Sequence, residues 1–310
     1  MTKKEITLSQ AIEGYFIYAN ARRLSAQTLN GYQWALNKFE AYLGADPPFA
    51  SLTTRDVRTF LNTLPGLTNK SLIGVRAGLS ALWSWGYNEG LVPRNIVKDT
   101  EPPKAEKRDV IPFTQHELQL LLTACDRSKA YKRPGKKMCE NSRATALRDR
   151  AIVILLIDTG IRASELCGLT IRDADLKNHR IVVMGKGRKE RHAPISPRTE
   201  QALWRYLATR EDKKPVAPLF ATSTGRRLDR FSLHGLLELA GDRAGVDDVY
   251  PHRFRHSFAI TFLRNGGNVF ALQRILGHES LTMVNKYLAI AQTDLQAAHR
   301  DASPVMNWML

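Results

Sequence analysis

The sequence predicts a mainly α-helical protein with a small antiparallel β-sheet, and three observations carry that expectation. Apolar residues recur at helical spacing through most of the chain. One stretch reads as paired strands: RIVVM at 180–184 and RHAPI at 191–195, joined by the basic, Gly-containing turn GKGRKE. A segment with four prolines and no apolar period, from Leu91 to Pro112, interrupts the helical pattern and reads as a linker between two domains. A length of 310 residues suits two domains of ordinary size.

The elements follow in order. Leu8, Ile12, Tyr15, Phe16 and Ala19 predict a first helix over 7–23, with Thr7 or Ser9 as its cap. Leu29, Tyr32, Leu36, Phe39 and Leu43 predict a second over 26–43, ended by Asp46, Pro47 and Pro48. Thr53 or Thr54 caps a short third helix, and Leu72, Val75, Leu79, Leu82 and Trp83 mark a fourth over 69–89. Beyond the linker, Thr114 and Glu117 form a capping box for QHELQLLLTAC. The stretch 127–150 is basic and irregular around Pro134 and Gly135, and reads as an insertion that either contacts a polyanion or is simply solvated. Further helices are expected near 146–158, 198–210 and 230–244.

Composition narrows the function. A hydrophobic content of 43% supplies packed cores and argues against a largely disordered chain. The net charge of +16 points to a polyanionic partner, nucleic acid before an anionic membrane. Residues 1–100 carry +4 of it and the remainder +12, so both parts are basic. Cys125, Cys139 and Cys167 show no CxxC spacing, which indicates neither a disulfide framework nor a zinc site and suits a reducing cytoplasm. The N-terminus lacks the apolar core of a signal peptide, and AIVILLI at 151–157 is too short to span a bilayer.

The chemistry concentrates in PHRFRHSFAITFLRNGGNVFALQRILGHESLTMVNKYL, 251–288. His252 and Arg255 are three residues apart and share a helix face. His278 follows Gly277, which can end a helix, and Tyr287 comes nine residues later. With no cysteine and no carboxylate at ligand spacing, these residues make a poor metal site and a good anion site. Upstream, DTGIRASELCGL places Arg162 after a helix-ending Gly160, with Glu165 three residues on. Lys186 lies in the hairpin turn, 24 residues after Arg162.

Together TGIRASEL, the turn lysine, PHRFRHSFAI, LGHES and the tyrosine after TMVNK resemble the signature of the tyrosine recombinases, the phage integrase and Xer-type family. The resemblance spans essentially the whole chain. It implies a helical, SAM-like, DNA-clamping domain over 1–92, a linker over 93–112 and a catalytic domain over 113–295. It also implies that the tail 296–310, which ends in apolar SPVMNWML, docks on a neighbouring subunit. Arg22, Arg23, Lys38, Lys70 and Arg76 on the N-terminal helices are expected either to lie along the DNA backbone or to form a solvated helix face.

The same resemblance implies the chemistry: Tyr287 as nucleophile, Arg162 and Arg255 clamping the phosphate, His252 accepting the phenol proton, Lys186 protonating the departing 5′ hydroxyl, His278 donating to the phosphate and Glu165 bracing the site. No metal or other cofactor is expected. The implied partners are a double-stranded recombination site, a homo-tetramer arranged as a dimer of dimers, and a related recombinase or an accessory DNA-bending protein. Two alternatives stand beside it, relaxation of DNA in the manner of a type IB topoisomerase and a catalytically silent DNA-binding regulator. The departures are Phe254, where the family often has an aliphatic residue, and the basic insertion.

Overall fold

A computed structural model describes residues 6–104, 110–128, 131–132, 138–139, 142–185, 190–278, 280, 284–285, 287–288, 299 and 305. The chain divides into two compact units, Met1–Arg108 and Asp109–Leu310. Both are mainly helical, and the second holds a small antiparallel sheet.

In the first unit, α1 (Leu8–Ala21), α2 (Ala26–Leu43), α3 (Thr54–Asn62) and α4 (Asn69–Asn88) bury one apolar face each. Thr7, Ser25, Thr53 and Thr68 cap them, each accepting a hydrogen bond from the backbone three residues on. The core centres on Trp83, whose ring meets Phe39 at 5.9 Å and Phe49 at 5.0 Å. Burying side chains of this size contributes roughly 2–3 kcal/mol each. Helices α2 and α4 approach closely because Gly78 has no side chain: a Cβ there would stand 3.2 Å from Ala35 Cβ.

The segment expected to link the domains does not begin as a free strand. Val92, Ile96 and Val97 are buried in the N-terminal core. Arg76 holds the stretch in place, donating from Nε and Nη2 to the carbonyl of Thr100 and from Nη2 to that of Val97. Three apolar residues scattered among prolines show no period, so only tertiary packing reveals that they are core.

The second unit opens with α5 (Gln115–Asp126), capped by the Thr114–Glu117 box. Part of the expected irregular insertion is a short antiparallel ribbon, β1 (Tyr131–Lys132) with β2 (Met138–Cys139). Much of the basic charge beside it is neutralised internally. Arg143 and Arg148 both pair with the fully buried Asp149, at 2.7 and 2.8 Å, and Arg150 pairs with Asp126. Helix α6 (Ala146–Thr159) then runs through the core and α7 (Ala163–Gly168) follows it.

The sheet orders β3 (Ala174–Asp175), β4 (Arg180–Met184) and β5 (Glu190–Pro194) side by side, all antiparallel. The two expected strands are present, and β3 adds a third, too short for a period-2 pattern to reveal. In β4 and β5 the pairs Ile181–Ala193 and Val183–Arg191 turn toward the core, so Arg191 occupies an inward position. Helices α8 (Pro197–Ala208), α9 (Arg230–Ala244), α10 (Pro251–Arg264) and α11 (Val269–Leu276) complete the described elements. No helix among the described residues is long and apolar enough to cross a membrane.

Two buried contacts seat α10. Ser257 Oγ accepts from the Phe113 N–H at 2.8 Å and donates to the Arg253 carbonyl. The Arg253 guanidinium lies 3.9 Å over the Phe113 ring and donates to Glu117, Ile111 O and Asp247 O. Helix α10 is thereby fixed against the start of the unit.

Candidate active site

The site is built where three chain segments end. Helix α6 stops at Gly160, whose φ of +59° is left-handed. A Cβ on it would come within 2.5 Å of Phe258 and 2.9 Å of Leu276, so glycine is required by conformation and by space. The next turn presents Arg162 at the N-terminus of α7, where Glu165 reaches back to accept from the Arg162 backbone N–H at 2.7 Å. Helix α11 stops at Gly277, with φ +63°, and leaves the carbonyls of Ile275, Leu276 and Gly277 without helical partners.

Three guanidiniums converge on those carbonyls, the negative end of α11. Arg255, only 3% exposed, donates from Nη1 to Gly160 O at 2.7 Å and from Nη2 to Leu276 O at 2.8 Å. Arg162 donates more weakly to Leu276 O at 3.5 Å and to Gly277 O at 3.4 Å. Arg191 donates to Ile275 O at 2.9 Å. Among the described residues one carboxylate serves the cluster: Glu165 accepts from Arg162 Nη1 at 2.9 Å and from Arg191 Nη2 at 2.8 Å. Burial opposes its ionisation, but the hydrogen bonds from Arg191 and Arg162 prevail and hold the carboxyl below its ordinary range.

Among the described residues positive charge therefore exceeds negative at this site. Burial, and then the neighbouring Arg162, push the Arg255 pKa down to about 10. Burial also takes His278 down to about 4, helped by Arg255, Arg162 and Arg191, so its ring is neutral near pH 7. His278 Nε2 stands 2.7 Å from Arg255 Nη2 and can only accept from it. An anion entering here would relieve the crowding of like charges and take over donors now resting on His278 and on backbone oxygen.

Tyr287 packs against this charge from the apolar side. It is 2% exposed, in a cluster with Ala259, Ile260, Leu263, Leu272, Leu276 and Val284. Its ring stacks on His278 at 6.1 Å and meets His256 edge-on at 5.1 Å. Burial holds the phenol pKa above its ordinary value, and Arg255 and Arg162 offset only part of that rise. A phenol so placed ionises more readily as the guanidiniums are brought closer to it.

The structure thus brings Arg162, Glu165, Arg255, His278 and Tyr287 together. His252 is exposed on α10 and joins them through His256. Lys186 lies outside the described residues, as does nearly all of the tail expected to dock on a neighbour. In the first unit Arg22, Arg23, Lys38 and Lys70 are exposed, whereas Arg76 is half-buried and spent on the segment after α4.

Two members of the site were not foreseen. Arg191 could have been found by counting alternate positions along the strand, since it falls on the same face as Ala193 and Ile195. His256 lies one helical turn after His252, a spacing that signals contact. Among the described residues no group of His, Cys, Asp and Glu is arranged to hold a metal ion.

Residues 112–294 match the family model described as the phage integrase family, and residues 12–90 match that of the phage integrase N-terminal SAM-like domain. This chain belongs to the phage integrase family, the tyrosine recombinases. It is 32% identical over 290 residues to the tyrosine recombinase XerC of Pelobacter propionicus, covering 91% of each protein. It is 31% identical to the XerC of Alcanivorax borkumensis, covering 92% of this chain and 91% of that one. The fold of this family member is also that of the Tn1549 transposon integrase in complex with circular intermediate DNA, with a TM-score of 0.74 at 21% identity over 96% of this chain and 99% of that one. The expected mainly helical class and two-domain recombinase architecture agree with these likenesses.

Proposed function

We propose that this family member is a site-specific DNA recombinase in which Tyr287 is the nucleophile and Arg162 with Arg255 clamps the scissile phosphate. The observation that carries the reading is the convergence of these two arginines, 93 positions apart, on Leu276 O beside the buried phenol. Paired guanidinium donors match the non-bridging oxygens of a phosphodiester. The phenol oxygen attacks phosphorus, the bond to the 5′ oxygen breaks, and a 3′ phosphotyrosyl linkage forms. His252 takes the phenol proton and Lys186 supplies one to the leaving 5′ oxygen. The linkage conserves the phosphodiester energy, so a second strand's 5′ hydroxyl reseals the DNA without ATP and exchange proceeds through a Holliday junction.

A homo-tetramer on paired sites, assembled through the tail 296–310, fits this chemistry, because two strand exchanges require four nucleophiles. The test is to mix the protein with fragmented DNA from its source, trap complexes in detergent and sequence what stays covalently attached. Paired inverted sites, lost in Tyr287→Phe, are expected. Attachment scattered without sequence preference would replace the recombinase by a DNA-relaxing enzyme, and no attachment above the Phe control would overturn the role of Tyr287.

A further inference from the structure

Glu165 works against the proposed clamp, because a carboxylate beside Arg162 competes with a phosphate for the same guanidinium. Arginine and carboxylate favour a two-point fork, one nitrogen on each oxygen. That fork is not made here. Arg162 reaches the carboxylate with Nη1, at Oε1, 2.9 Å away. Its Nη2 rests on Gly277 O at 3.4 Å, a length at which little hydrogen bonding is left.

The second oxygen, Oε2, is closed to the Arg162 side chain by other donors. The Arg162 backbone N–H meets it at 2.7 Å and Arg191 Nη2 at 2.8 Å. A carboxylate oxygen has about two lone-pair sites, so both are taken. Arg191 is fixed from several sides. Its Nε donates to Ile275 O at 2.9 Å, and its side chain lies against Gly277, where a Cβ would stand 3.0 Å from Arg191 Cδ and Nε. Its Nη1 is buried without a hydrogen-bond partner, so the fold leaves a donor unmet to keep the guanidinium in this place. The side chains of Arg191 and Glu165 are 12% and 5% exposed, against 42% for Arg162. The buried pair is complete without Arg162, and the exposed guanidinium is the one left to meet an anion.

We infer that Arg191 is a positioning residue for strand cleavage: by neutralising Glu165 and occupying Oε2 it keeps Arg162 from closing a fork on its own carboxylate and leaves Nη2 to the scissile phosphate. The inference rests on Arg162 clamping that phosphate. The charged and titratable groups facing Glu165 are Arg162 on α7, Arg191 on β5, Arg255 on α10 and His278 after α11. Burial acts most strongly on the Glu165 carboxyl, against ionisation, and the hydrogen bond from Arg191 leads the influences that lower its pKa. Removing Arg191 therefore raises that pKa. Above the raised value the ionised carboxylate grips Arg162, and below it the neutral carboxyl lets go.

The test has one arm that does not depend on catalysis. In full-length protein labelled with ¹³Cδ-glutamate, assigned with Glu165→Gln, Glu165 should titrate at higher pH in Arg191→Met than in wild type. An unmoved titration would overturn the inference. Should Arg191→Met fail to fold, Arg162→Ala decides in its place, since Arg191 and the backbone N–H remain. Glu165 should then still titrate below its ordinary 4.5, and a value at or above that would equally overturn the inference.

The second arm reads covalent attachment to a nicked site. Arg191→Met should slow it roughly tenfold or more at neutral pH, with DNA affinity largely kept. The ratio of variant to wild-type rate should rise as pH falls through the raised Glu165 pKa, a dependence that a merely misplaced strand would not produce. With Glu165→Gln already present, adding Arg191→Met should slow attachment far less, and that ratio should not vary with pH. A ratio flat in pH while Glu165 is intact, or an equal loss with and without Glu165→Gln, would overturn the inference. If wild type forms no adduct at all, the roles of Tyr287 and Arg162 fail, and the glutamate titration alone judges Arg191.

Discussion

Arg255 and Arg162 donate to one acceptor, the carbonyl oxygen of Leu276, at 2.8 and 3.5 Å. Two like charges are tolerated so close together because Glu165 and the carboxyl end of α11 face them. A phosphate would do so more completely. Arg162→Ala and Arg255→Ala should each lower the rate of covalent attachment by about 3–4 kcal/mol of transition-state stabilisation, roughly 10²- to 10³-fold, with DNA affinity largely kept. Lysine at either position should rescue little, since it lacks the paired donors. Single-turnover cleavage of a nicked site, read beside a binding isotherm, checks both.

Gly160→Ala should damage site and fold together. The left-handed backbone disfavours alanine by about 1 kcal/mol. The new methyl group meets Phe258 at 2.5 Å, and relieving that clash displaces the carbonyl on which Arg255 rests. The expected outcome is a thermal midpoint lowered by several degrees and cleavage lost beyond what the loss of folded protein explains.

Glu165 gives the site an acid limit. Its folded pKa lies below the ordinary 4.5, so ionised Glu165 stabilises the fold fully above about pH 4.5, and that contribution is lost as pH falls through the lower folded value. Glu165→Gln cannot titrate, and its stability should fall less steeply than that of wild type between pH 5 and 3. Denaturant midpoints measured across that range, with identical slopes for both proteins, would show that Glu165 is not held by its arginines.

Arg253 tests structure apart from chemistry. It is 7% exposed and joins α10 to Glu117 and the Phe113 ring. Arg253→Met should cost about 3 kcal/mol, because the partner carboxylate and two carbonyls lose their donor. Urea unfolding measures this directly.

The exposed lysines and Arg76 should separate in a salt titration. Lys70→Ala or Lys38→Ala should reduce the slope of log affinity against log salt by about one without changing stability. Arg76→Ala should lower stability instead, because its guanidinium ties the segment after α4 to the core.

Local signals were legible in the sequence wherever they carry their own physics. Thr7, Thr53 and Thr114 cap helices because a hydroxyl three residues ahead of an unsatisfied N–H accepts from it in any context. Gly160 and Gly277 end helices because the left-handed turn excludes most side chains. The strands 180–184 and 190–194 announce themselves through alternation and a glycine turn. The resemblance to the recombinases was likewise written in short strings, which the matched family models bear out.

What the sequence could not state was how donors and acceptors are shared out. The sequence does not say that Arg76 is spent on Thr100, that Asp149 is buried between Arg143 and Arg148, or that Arg191 of β5 reaches Glu165 of α7. A basic composition counts charges without telling which are already paired. The helices, caps and stops of this protein were therefore determined by the sequence alone, through interactions of three or four residues' reach. Which arginines hold the fold and which remain to meet an anion was decided only by the tertiary structure, because pairing depends on distances that the chain sets when it closes on itself.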